Sequence, residues 1–165
     1  MVLRSIRPVP IAVLTMLLAA CSGVEGSETS LGPATIDQAR LEAAGKDDDN
    51  WLTYGRTYDE QRYSRLTQIN DGNIGELSLA WALELDTARG QEGTPIVVDG
   101  VMYTSTAWSK VVAIDAATGK QLWQFDPENE GSKAAHACCD VVNRGVAVWK
   151  GRVFVGTIDG RLIAI

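Results

Sequence analysis

The adjacent cysteines Cys138 and Cys139 sit inside His-Ala-Cys-Cys-Asp-Val-Val-Asn-Arg-Gly, residues 136–145. Consecutive α-carbons are about 3.8 Å apart, whereas ordinary disulfides span about 4.4–6.8 Å. A bridge between neighbours would close a tight, strained ring with a flat, rigid, easily reduced sulfur surface. So small a loop removes almost no chain entropy, so the bridge would add little to stability. Its job would be local, such as packing against a flat ligand. The same residues can also be read as two small buried hydrophobes that happen to adjoin. His136 adds a third potential metal ligand, but three ligands this crowded suit a metal poorly.

The N-terminus bears on that choice. Arg4 and Arg7 precede a short apolar core, Ile11 to Leu18, too short to span a bilayer as a stable helix. Leu18-Ala19-Ala20-Cys21 then matches a bacterial lipobox. This predicts a lipoprotein signal peptide over 1–20 and lipidation of Cys21; an ordinary secretory signal cut nearby is the other reading. Several acyl chains on one cysteine would hold the protein at a membrane surface. Ser22 gives no aspartate-type inner-membrane retention signal, so the expected location is the periplasm, anchored to the outer membrane. Export would place Cys138 and Cys139 in an oxidising compartment. With Cys21 lipidated they are the only thiols left, to pair with each other or with another molecule.

Of the 15 Lys and Arg, loss of Arg4 and Arg7 leaves 13 against 21 acidic residues, a mature charge of −8. That balance argues against nucleic acid or an anionic bilayer surface as a partner. Residues 21–50 read as a lipidated N-terminus and acidic tether. Lys46-Asp-Asp-Asp-Asn50 is a solvated charge run. Thr35-Ile-Asp-Gln38 reads as a capping box opening a short helix through Leu41 to Ala44, stopped at Gly45.

From Trp51 to Ile165 the chain reads as short strands and turns. Thr94–Val98, Val101–Ser105 and Val111–Ile114 are β-rich runs, and Asp99-Gly100 is a hairpin turn. Val98 to Ile114 aligns without gaps on Trp149 to Ile165, at a shift of 51 over 17 positions. Ala80-Trp81 is echoed by Leu122-Trp123, 42 residues on. A period of about 40–50 residues with short strands and a recurring Trp predicts β-propeller blades. In Ala113–Trp123 the turn would run from Asp115 to Lys120, with Gly119 taking the unusual backbone angles and Trp123 packing between blades. The fold class is all-β. Roughly two blades cannot close a ring and leave long sheet edges exposed, so this span is expected to be marginal alone.

With Trp51–Arg56, Arg62–Asn70, the Ala113–Trp123 docking motif, Gln91-Glu-Gly-Thr-Pro95 and Cys138–Gly145, the chain resembles the bacterial quinoprotein alcohol dehydrogenases. The resemblance covers about Asn50 to Ile165. That family uses pyrroloquinoline quinone (PQQ) and calcium in an eight-bladed propeller, so these residues would be its N-terminal blades, incomplete in this chain. The resemblance implies that Cys138 and Cys139 form a vicinal disulfide against one face of the quinone. It also implies that Glu92 hydrogen-bonds PQQ and that Arg144 reaches the reactive quinone oxygens. On the residues alone, Glu92 could be an exposed loop acid and Arg144 could pair with Asp140. Trp108 and Trp149 read as propeller packing.

In this family calcium acts as a Lewis acid and an aspartate takes the alcohol proton. The resemblance puts the calcium ligands and that aspartate beyond Ile165, so no metal ligand or catalytic residue is assigned in this span. The fragment alone is expected to be inactive. The implied partners are an alcohol substrate and a periplasmic electron acceptor such as a cytochrome c. The competing reading is a non-enzymatic propeller lipoprotein like the outer-membrane barrel-assembly scaffold, which has no need of Cys138-Cys139, Glu92 or Arg144. A degraded remnant of the enzyme is a third.

Overall fold

Asp99 and Gly100 both have positive φ, 51° and 80°, as a two-residue type I′ hairpin requires. They join β1 (Ile96–Val98) to β2 (Val101–Ser105). The structure, a computed structural model, describes residues 35–165; the signal peptide expected over 1–20 and the lipidation expected at Cys21 lie outside the described residues. β3 (Val111–Asp115) and β4 (Gln121–Phe125) complete an antiparallel sheet in the order β1-β2-β3-β4. A second sheet follows, β5 (Ala147–Trp149), β6 (Arg152–Gly156) and β7 (Leu162–Ala164).

The repeat is structural. Ile96 faces Tyr103 and Ala147 faces Phe154, the second pair 51 positions on. Thr106 N donates to Lys110 O and Thr157 N to Arg161 O, both at 2.8 Å. Lys150 and Gly151 repeat the turn, with φ 48° and 76°.

The core lies between the sheets. Ile96, Val98, Val101, Tyr103, Val111 and Ala113 meet Val148, Val153 and Val155, all buried. Burying each such Val or Ile stabilises by roughly 1.5–3 kcal/mol, more than a typical exposed ion pair. Trp123 packs against this core, its ring 5.9 Å from Tyr103. Gly119 takes φ 74° in the β3–β4 turn, and a Cβ there would lie 2.5 Å from the Trp81 ring. Trp81 also donates from Nε1 to Ala116 O at 3.1 Å. The glycine is therefore required twice, for backbone angle and for the ring seated on it.

Residues 35–50 differ from the tether expected there. Ile36 and Ala44 are buried in the core. α1 (Gln38–Glu42) is capped by Asp37, whose Oδ1 accepts from Arg40 N at 2.8 Å, not by Thr35. The helix stops at Glu42, and Ala44–Lys46 winds on as a 3₁₀ turn. Arg40 forks onto Asp99 at 2.6 and 2.9 Å, and Ile36 O accepts from Lys150 N. The segment thus straps both hairpin tips. The acidic run is engaged too: Asp48 pairs with the buried Arg56 at 2.9 Å and with Arg65 at 3.6 Å. Trp51 exchanges two main-chain bonds with Val97, covering part of the β1 edge. Among the described residues no helix is long and apolar enough to cross a membrane.

Candidate functional site

Two loops, residues 89–94 before β1 and 138–145 before β5, run side by side in parallel. Thr94 bridges to Gly145, with Thr94 N donating to Arg144 O at 3.2 Å. Glycines permit this approach. A Cβ on Gly145 (φ 133°) would lie 3.1 Å from Thr94 O, and one on Gly93 only 2.7 Å from Ser105 O. Ser105 Oγ, buried behind Gly93, has no hydrogen-bond partner among the described residues.

This seam brings together Glu92 and Arg144. Their charged groups approach to 3.4 Å, with side chains 46% and 78% exposed. Arg144 does not pair with Asp140; Asp140 is taken by Arg89 at 3.0 Å. Arg89 follows a pinned stretch, because Asp86 accepts from Lys110 at 2.8 Å and Gln124 at 3.2 Å. The Lys110 bond holds the Asp86 carboxyl below its ordinary range, and Asp86 in turn raises Lys110.

Cys138 and Cys139 are joined by a disulfide, and both residues are exposed. The sulfurs are therefore a surface feature and not buried hydrophobes. α2 (Gly131–Ala134) precedes them and carries no buried residue. The loop is held from the other side. Val141 is buried, and its carbonyl accepts from Trp108 N at 2.8 Å. Trp108 and Ser109 take φ 62° and 54° to reach it, a costly conformation for a large side chain. Ser109 Oγ receives Asn143 Nδ2 at 3.1 Å and Ile158 N at 3.2 Å, and Asn143 Nδ2 also reaches Gly156 O at 2.8 Å. Ser109 and Asn143 thus tie the disulfide loop to both sheets. Sequence reasoning singled out neither. Asn143 lies inside the Cys138–Gly145 motif, but nothing in the sequence marks it as an anchor.

His136 is exposed, and its N–H caps the turn on Lys133 O. Among the described residues no three His, Cys, Asp or Glu side chains gather as a metal site. The donor set suits a flat, electron-poor organic group: an exposed sulfur surface, a guanidinium fork and a carboxylate share one seam.

The family model for the PQQ-containing glucose/ethanol/alcohol dehydrogenase β-propeller domain matches residues 51–165. The chain belongs to this family. It is 59% identical over 133 residues to quinohemoprotein alcohol dehydrogenase ADH-IIG of Pseudomonas putida, covering 81% of this chain and 18% of that one. It is 65% identical over 116 residues to the dehydrogenase subunit of a quinone alcohol dehydrogenase of Komagataeibacter europaeus, covering 70% and 16%. The solved structure of the P. putida HK5 enzyme ADHIIG superposes with a TM-score of 0.79, at 59% identity, over 81% of this chain and 19% of that one. A europium-containing methanol dehydrogenase gives a TM-score of 0.72 at 38% identity, over 77% and 23%. The chain spans about a fifth of the length of these relatives. The propeller expected from the repeat is therefore the fold of this family, present here as two of its sheets.

Proposed function

We propose that these residues form the front of a PQQ-dependent dehydrogenase that oxidises alcohols. The observation that carries this is that one loop of a PQQ-family propeller holds both the exposed Cys138–Cys139 disulfide and Arg144, which pairs with Glu92 of the preceding sheet's lead-in loop. PQQ, when bound, supplies a quinone that accepts hydride from the alcohol. The disulfide would present a flat, polarizable face to the ring. Arg144 would donate its guanidinium fork to the quinone oxygens, placing fixed positive charge where negative charge develops. Glu92 would hydrogen-bond the cofactor and orient Arg144.

Calcium would act as a Lewis acid in the site, with its donors and the proton-accepting aspartate in the remainder of the protein. One relative is named a europium protein, so the choice of calcium belongs to the proposal. A cytochrome c as electron acceptor is supported by a relative named 1-butanol dehydrogenase (cytochrome c). The signal and lipobox reading, with Cys21 acylated, supports a periplasmic, membrane-anchored location, and a surface disulfide suits that oxidising compartment.

The test is the full-length protein, purified without cofactor and titrated with PQQ and Ca²⁺. Saturable quinone binding and alcohol-dependent cytochrome c reduction are expected. No binding and no turnover would overturn the reading and return the non-enzymatic scaffold.

A further inference from the structure

Asp140 follows directly on the disulfide and takes a left-handed backbone, φ 68°, a conformation Asp tolerates better than most residues. The direction in which the chain leaves Cys139 is therefore set at Asp140. Its carboxylate is held 3.0 Å from the Arg89 guanidinium. Arg89 sits in a locally bonded turn, its N–H donating to Thr87 Oγ1 at 3.1 Å and its carbonyl accepting from Gln91 Nε2 at 3.0 Å. Between the charges, a Cβ on Gly90 would touch Val142 at 3.5 Å.

We propose that the Arg89–Asp140 pair is a positioning latch for the Cys138–Cys139 surface. Together with Glu92–Arg144 it makes two rungs of opposite polarity across the seam. Only one parallel alignment satisfies both. A slip of one rung sets Arg89 beside Arg144, or Glu92 beside Asp140, and like charges repel. The latch thereby couples the direction of the sulfur surface to the placement of Arg144. Neither Arg89 nor Asp140 needs to touch the cofactor. Because exposed ion pairs add little to global stability, the pair should matter for orientation and not for folding.

The inference rests on the quinone-site reading, and its test separates the two. The full-length protein is prepared without cofactor as wild type, Asp140→Asn, Arg89→Gln, their double variant and Arg89→Lys. Asparagine keeps the left-handed preference and removes the charge. Two quantities are read: the rate at which dithiothreitol opens Cys138–Cys139, followed by alkylation and peptide mass, and the dissociation constant for PQQ. Each single variant is expected to change both by about two- to fivefold, with unchanged melting temperature. The double variant should match the singles, and Arg89→Lys should restore part of the loss. Unchanged disulfide opening in Asp140→Asn, or additive effects in the double variant, would overturn the latch. Wild-type protein that binds no PQQ while its disulfide still responds would overturn the quinone reading and leave the latch standing.

Discussion

The Glu92 carboxylate stands 3.4 Å from the Arg144 guanidinium, across a seam made by the lead-in loops of two successive sheets. A carboxylate partner limits the directions a guanidinium fork can take while leaving its other donors free. Arg144 is 78% exposed, so its side chain adds little to the core, and its guanidinium stays accessible to a ligand.

Arg144→Lys tests that division. Lysine keeps the charge but loses the planar fork. In the full-length protein, turnover with PQQ is expected to fall by about 10²-fold, while stability changes by less than about 0.5 kcal/mol. Steady-state kinetics and a thermal melt on the same preparation check both. An unchanged kcat removes Arg144 from the mechanism.

The disulfide gives a second prediction. Both cysteines are exposed, so mild reductant should open them without denaturant, and neither should be alkylated beforehand. PQQ seated against the sulfurs should slow that opening by about tenfold or more, as a tightly bound ligand at saturating concentration shields its own contact surface. Equal rates with and without PQQ would separate the disulfide from the cofactor.

Gly119→Ala concerns the scaffold. The substitution places a methyl group against Trp81 and demands φ 74° of an alanine. A loss of about 1–3 kcal/mol is expected, read as a shift in the urea midpoint. A change below about 0.5 kcal/mol would mean that Trp81 moves aside and that the turn relaxes away from the positive φ, so neither requirement would stand.

Acidification should loosen the N-terminal strap. The Arg40 hydrogen bond holds the Asp99 carboxyl below its ordinary range. A carboxylate with a lowered folded-state pKa stabilises fully above its unfolded value, about 3.9, and loses that contribution as pH falls through the folded value. Denaturation midpoints from pH 6 to about 2 should therefore converge for wild type and Asp99→Asn at the acid end. The gap near neutrality should be under about 1 kcal/mol. A gap that persists undiminished to the lowest pH would assign it to something other than this charge.

The hairpins, the 51-residue repeat and the Gly119 turn were legible because each is written locally, as alternation, Asp-Gly and Thr-Gly. The packing of residues 35–50 was not. Ile36 and Ala44 are buried, but Ile36 stands between Thr35 and Asp37, and the stretch from Leu41 to Ala44 is too short to mark a buried face. The acidic run looked solvated because Arg40, Arg56 and Arg65, which neutralise it, are scattered along the chain. The pairing of the site was likewise hidden. Asp140 is near Arg144 in sequence, yet the parallel seam hands it to Arg89 and gives Arg144 to Glu92. Proximity in sequence does not reveal which loops the topology lays together.

The parallel seam also sets how such proteins can be recombined. Thr94 with Gly145, Glu92 with Arg144 and Arg89 with Asp140 are each split between one sheet's approach and the next one's. A chimera of two related chains joined anywhere between Pro95 and Ala137 draws the halves of all three contacts from different parents. A visible blade is thus the wrong unit of exchange, and the heritable module runs from one seam through the whole of the next.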